Sequence, residues 1–131
     1  IFDDLKVNIV GDTLVTGTRY VQGVAAMNGD PVQALTDRHF TRGFFSPIHD
    51  NVYKNFEEVK KLYYGTKSQA VVYVHIEFCE SQEYDLPDLK NMIKQEGIPI
   101  HVLDTEYQTT SLSHVLTRAQ AFFESLKGGS L

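Results

Sequence analysis

The sequence has one cysteine, no tryptophan and four prolines in 131 residues, and the first of these shortages excludes the most. A lone cysteine rules out an internal disulfide framework and cannot by itself complete a metal site made of thiolates. Such usage fits a reducing compartment, so the cytoplasm is the expected location. No apolar run approaches the ~20 residues that a membrane-spanning helix needs, so no membrane segment is expected. There is no basic stripe either: twelve Lys and Arg against seventeen Asp and Glu leave a net charge of −5 spread along the chain. A surface of that sign gains nothing from releasing counterions around a phosphate backbone, which argues against nucleic acid as a partner. Neither GxxxxGK[ST] nor GxGxxG occurs, so no nucleotide-cradling loop is expected.

The beginning, Ile1-Phe2-Asp3-Asp4-Leu5, has neither the basic leader nor the apolar segment of a signal peptide, and no initiator methionine. A start of this kind is expected of a segment of a longer chain.

What remains is sufficient for one core. A chain of this length buries roughly two thirds of the surface its unfolded form exposes. With no internal repeat or low-complexity linker, residues 1–131 are expected to form a single α/β domain. Val7-Asn8-Ile9-Val10, closed by Gly11-Asp12, reads as a first strand, and Asp30 before Pro31 opens a helix through about His39. From Val52 through Tyr63 apolar residues recur at three- and four-residue intervals, an amphipathic helix ended by Gly65. Ala70 to Ile76 is an almost unbroken apolar run, suited to a strand covered on both faces. A helix from Pro87 to Glu96 stops at Gly97, where a left-handed cap is expected. Ile98 to Leu103 is the next strand, and Thr109, Thr110 or Ser111 caps a last helix with Leu112, Val115, Leu116, Ala119, Phe122, Phe123 and Leu126 on its apolar face. Strands alternating with helices predict a three-layer, doubly wound, flavodoxin-like parallel sheet.

In such a sheet the segments that follow the strands gather on one rim, and that rim binds ligands. Here they are Gly11 to Tyr20, Glu77 to Tyr84 and Asp104 to Thr110, with Cys79 in the middle one. A lone cysteine is more often a small buried hydrophobe than a ligand, and its placement on the rim is what raises its standing. The expected helix start at Pro87 is several residues away, so no helix amino terminus is expected to activate the thiol. His75 and His101 read as strand residues packed in the core, and His39, His49 and His114 as solvated surface. Glu80, Glu83, Asp85 and Asp88 suit the start of a helix. Gly17-Thr18-Arg19-Tyr20 either sets a guanidinium on the rim to hold a phosphate or carboxylate, or is a turn with a surface arginine.

Three features between Ala70 and Leu126 resemble the carboxy-terminal region of the 2-hydroxyacyl-CoA dehydratase D-component family, which includes subunits of ATP-dependent benzoyl-CoA reductases. They are a hydrophobic strand running into Phe78-Cys79-Glu80; Leu89-Lys90 leading through Glu96-Gly97-Ile98-Pro99 to Asp104-Thr105-Glu106-Tyr107-Gln108; and Thr117-Arg118-Ala119-Gln120-Ala121-Phe122-Phe123-Glu124. Upstream, Gly17-Thr18-Arg19-Tyr20 and Gly29-Asp30-Pro31-Val32-Gln33-Ala34-Leu35 extend the likeness over nearly the whole chain.

The resemblance implies the carboxy-terminal domain of a longer subunit that carries a [4Fe-4S] cluster on three cysteines, Cys79 being the last. It also implies a homologous second subunit, an ATP-hydrolysing activator that delivers one electron, and an acyl-CoA substrate. In the dehydratases that electron turns the thioester carbonyl into a ketyl radical, from which hydroxide and then a proton leave; in the reductases it enters an aromatic thioester. Arg19, Glu106 and Arg118 are expected to shape the site or the subunit interface, although the stem of a helical arginine such as Arg118 can simply cover apolar surface. One cysteine cannot hold a cluster, so this chain alone is expected to bind none, and the loop Phe45-Ser46-Pro47, where relatives could carry a cysteine, has none. The rival expectations are a non-catalytic docking domain of the same fold, and a free-standing flavodoxin-like domain that binds a small molecule without iron.

Overall fold

Val71–Ile76 (β1) and Ile100–Thr105 (β2) are rich in β-branched residues, and they pair in parallel with Val71 opposite Ile100 and Ile76 opposite Thr105. The computed structural model of the chain describes residues 1–41, 52–106 and 112–128. Within them the helices are Thr18–Val21 (α1), Pro31–Thr41 (α2), Val52–Thr66 (α3), Glu80–Gln95 (α4) and Ser113–Gly128 (α5). The chain is therefore α/β, built around a two-stranded parallel sheet whose crossover is α4.

Successive strand residues point to opposite faces, and the two cores follow that alternation. On one face Val71, Tyr73 and Ile100 pack with Phe56 of α3, Leu89 and Ile93 of α4, and Ile98. On the other, Val72 and Leu103 meet Val115 and Ala119 of α5, with Ile1, Phe2 and Leu5 closing the edge. Ile93 and Leu103 are fully buried, and each such side chain contributes about 1.5–3 kcal/mol relative to exposure. Between α3 and the end of α4, Lys60 Nζ donates to Glu96 Oε1 at 2.7 Å.

The end of α4 is the one the sequence predicts. Gly97 takes φ +77°, its N–H donates to the Lys94 carbonyl, and the Ile98 N–H donates to Ile93, a Schellman cap with Ile93 and Ile98 in the same core. The end of α3 is not. The helix runs through Gly65 to Thr66, and Lys67, at φ +55°, takes the left-handed position while Ser68 N–H donates to the Tyr63 carbonyl. A glycine near a helix end marks the cap only where the chain reverses, and here the reversal comes two residues later.

Two further expectations are corrected. Val7–Val10 forms no ladder: its backbone is unpaired with β1 and β2, and Ile9 and Val10 are 64% and 49% exposed. A β-branched run becomes a strand only beside another strand, and the described residues place none there. The start of α4 is Glu80 instead of Pro87, which sits inside the helix. Pro87 has no N–H to give the Glu83 carbonyl, but it lies on the solvent side where water can serve that acceptor. Phe45-Ser46-Pro47, His49, Tyr107, Gln108 and the caps expected at Thr109, Thr110 or Ser111 lie outside the described residues.

Candidate functional site at the strand ends

Because β1 and β2 run parallel, the chain leaves both at the same end of the sheet. Glu77 N–H donates to the Thr105 carbonyl and extends the ladder by one rung. A tight turn follows, in which Cys79 N–H donates to the Ile76 carbonyl at 3.1 Å and Phe78 adopts φ +66°. A bulky residue in that region is strained, and its ring is 86% exposed, so the turn holds Phe78 against both its conformational and its solvation preference.

Cys79 is the residue that caps α4. Its carbonyl accepts from Gln82 and Glu83 N–H at 2.9 and 3.0 Å, and its half-buried Sγ lies 3.5 Å from Ser81 Oγ. With α4 beginning at Glu80, Cys79 is its N-cap residue, at the helix end where anionic groups are favoured, although its side chain makes no capping hydrogen bond. That reverses the sequence reading, which put the helix start too far off to matter. Tyr73, from β1, faces the same corner. Burial first, then the negative charges of Asp85 and Cys79, raise its pKa above the usual phenol range, while Arg19 opposes the shift. Tyr73 therefore stays a protonated donor, and Arg19, Asp85 and Cys79 all lie within electrostatic reach of its hydroxyl.

Arg19 is placed by a turn whose organiser is Asp12. The Asp12 carboxylate accepts from Leu14 N–H at 3.0 Å, Thr18 N–H at 2.9 Å and Thr18 Oγ1 at 2.8 Å. The backbone bond from Thr18 leads the causes that hold its pKa below the usual carboxylate value. A Cβ on Gly17 would collide with the Asp12 carboxylate, which would have to leave these hydrogen bonds to make room. The turn and α3 border an open cleft of about 300 Å³, with Arg19, Asp12, Thr18, Glu58 and Lys61 on its walls.

Sequence reasoning missed a second cluster. Asp104 Oδ1 lies 3.1 Å from His75 Nδ1, and Oδ2 accepts from Arg118 Nη1 at 3.3 Å. A carboxylate only accepts, so Nδ1 of His75 carries the proton. Nε2 of His75 is buried without a hydrogen-bond partner among the described residues. The signal for this cluster is the strand register that sets His75 opposite Asp104, which periodicity alone does not supply. His75 is buried as expected. His101 stacks on Phe122 at 4.8 Å, and burial, then the Arg118 charge, lower its pKa. Arg118 thus holds a carboxylate, whereas Glu106 is exposed just past the end of β2. Among the described residues no three His, Cys, Asp or Glu side chains converge as a metal site. Cys79 is the chain's single thiol, and a free one.

Parallel strands with Cys79 just past the end of the first and Asp104 near the end of the second define an α/β chain. The family model of the 2-hydroxyglutaryl-CoA dehydratase D-component matches residues 1–126, and the chain belongs to that family. It is 25% identical over 126 residues to the (R)-phenyllactyl-CoA dehydratase beta subunit of Clostridium sporogenes, covering 96% of this chain and 33% of that protein. It is 23% identical over 127 residues to the lactoyl-CoA dehydratase subunit beta of Anaerotignum propionicum, covering 96% of this chain and 34% of that protein. The chain spans about a third of the length of these relatives.

Proposed function

We propose that the chain is the carboxy-terminal domain of an iron–sulfur subunit of a radical 2-hydroxyacyl-CoA dehydratase, with Cys79 giving one thiolate to a [4Fe-4S] cluster. The observation that carries this reading is the position of the sulfur, half-buried at the amino end of α4 and at the carboxyl end of β1. Thiolates are the usual ligands of such clusters, and a bound cluster would supply one electron at low potential. With a single cysteine in the chain, the other thiolates come from elsewhere in the longer subunit. The strand pair would then be part of a larger doubly wound, flavodoxin-like sheet in three layers.

The chain's own residues hold and tune the site. The turn at Phe78 fixes the direction of Cys79, and Tyr73 keeps its proton beside it. Arg19 brings positive charge to the same corner, suited to an anionic substrate group, and Arg118 and Glu106 are the interface candidates. The substrate is an acyl-CoA; the partners are a homologous second subunit and an ATP-hydrolysing activator, in the cytoplasm. Relatives named as dehydratase subunits support dehydration over ring reduction of a benzoyl-CoA. A second reading, a docking domain without a cluster, draws on the single cysteine.

The test is anaerobic reconstitution of the full-length subunit with its partner, followed by electron paramagnetic resonance of wild type, Cys79→Ala and Cys79→Ser. Loss of the signal in the alanine variant and a changed signal in the serine variant are expected. An unaltered signal in both removes Cys79 from the site.

A further inference from the structure

Among the described residues, eleven of the seventeen exposed large hydrophobic side chains fall between Ile9 and Phe40. Val24 and Met27 are 91% and 95% exposed, and Val32, Leu35 and Phe40 project from α2, whose buried apolar residue is Ala34. The same region is poor in charge: from Thr13 to Gly29 Arg19 is the single ionisable group apart from Tyr20. Solvated surfaces are not built this way, and exposed apolar side chains gathered in this number along one charge-poor stretch mark a covered segment.

The patch is also a built surface. Arg38 Nε donates to the Gly23 carbonyl at 3.0 Å and Nη2 to that of Tyr20 at 3.4 Å, which ties the segment after α1 to α2. Asp30 Oδ1 accepts from Val32 N–H at 2.9 Å and starts the helix. These bonds hold α2 and its neighbour in a defined arrangement with their apolar side chains outward.

We infer that the Ile9–Phe40 face is an internal interface, covered by further polypeptide of the same subunit. The length of the relatives selects this occupant, and the composition makes the cover a permanent one. The relatives are about three times as long as this chain, so most of the fold they share lies outside it. Depletion of charge together with exposed Met, Tyr, Phe and aliphatic side chains is the composition of a permanent, core-like interface, whereas contacts that form and separate have more polar surfaces. The inference rests on the reading of the chain as one domain of a longer subunit, and is independent of the cluster.

Anaerobic carbene footprinting of the native full-length subunit, alone and with its homologous second subunit, tests it. Labelling follows exposed area, so Met27, Tyr20 and Phe40 should react severalfold less in the isolated subunit than their exposure here implies. Strong labelling of the isolated subunit that disappears only with the second subunit would overturn the inference and give the face to the subunit interface. Strong labelling in both states would overturn it as well. The intact mass separates this failure from that of the parent reading: a native subunit of 14.8 kDa would sink both, while a longer subunit with a labelled face would sink this one alone.

Discussion

Asp104 joins β2 to β1 and to α5, and its removal gives a sharp measure of how the strand-end cluster is held. The His75 side chain is 11% exposed and that of Asp104 37%, so their 3.1 Å contact is screened far less than a surface pair. A hydrogen bond to a charged group contributes about 1.5–3 kcal/mol, and the partial exposure of Asp104 puts this one near the lower end. The Arg118 side chain is 55% exposed, and its 3.3 Å contact contributes about 0.5 kcal/mol. Asp104→Ala should therefore destabilise the chain by about 2 kcal/mol, because His75 would be left with neither ring nitrogen paired. Asp104→Asn keeps an accepting oxygen and should cost about 1 kcal/mol, and Arg118→Ala about 0.5 kcal/mol. Urea unfolding followed by circular dichroism measures all three, and a double-mutant cycle of Asp104 with His75 isolates the pair. A coupling below the ~0.4 kcal/mol within which unrelated sites add would show that the contact does not hold the strands together.

Three further outcomes are expected. Ile93→Ala, which empties a fully buried position between α4 and the sheet, should cost about 2–5 kcal/mol in urea unfolding, and a loss under about 1 kcal/mol would contradict that packing. Gly17→Ala should displace the Asp12 carboxylate, lowering stability by about 0.5–1.5 kcal/mol and raising the Asp12 pKa toward its ordinary value in carboxylate NMR titration; an unchanged Asp12 would refute the steric account. His101 binds its proton less readily folded than unfolded, so stability is complete above the unfolded value of 6.5 and falls as pH drops from there toward the depressed folded value. His101→Phe should flatten that part of the stability–pH curve, and an equal slope in the variant would assign the loss to other groups.

The elements with strong internal patterning were legible before any coordinates. The apolar run at Val71–Ile76, the three- and four-residue spacing along Val52–Thr66 and the glycine after α4 each carry their own signal, since local sequence decides period and cap. Val7–Val10 failed because a strand is half of a pair, and its partner is absent from the described residues. Pro87 misled because proline suits both the first turn of a helix and, on a solvent-facing side, its interior.

Hydrophobic period and chain direction are one-dimensional properties, and they were enough for the α/β class and for a thiol just past β1 at Cys79. The folded chain was needed to show that α4 begins at Glu80, with Cys79 at its amino terminus. It alone set His75 and Arg118 on the two oxygens of Asp104, and Arg19 within reach of Tyr73. Those relations depend on register and on the approach of residues far apart in the chain, which packing fixes and local pattern does not.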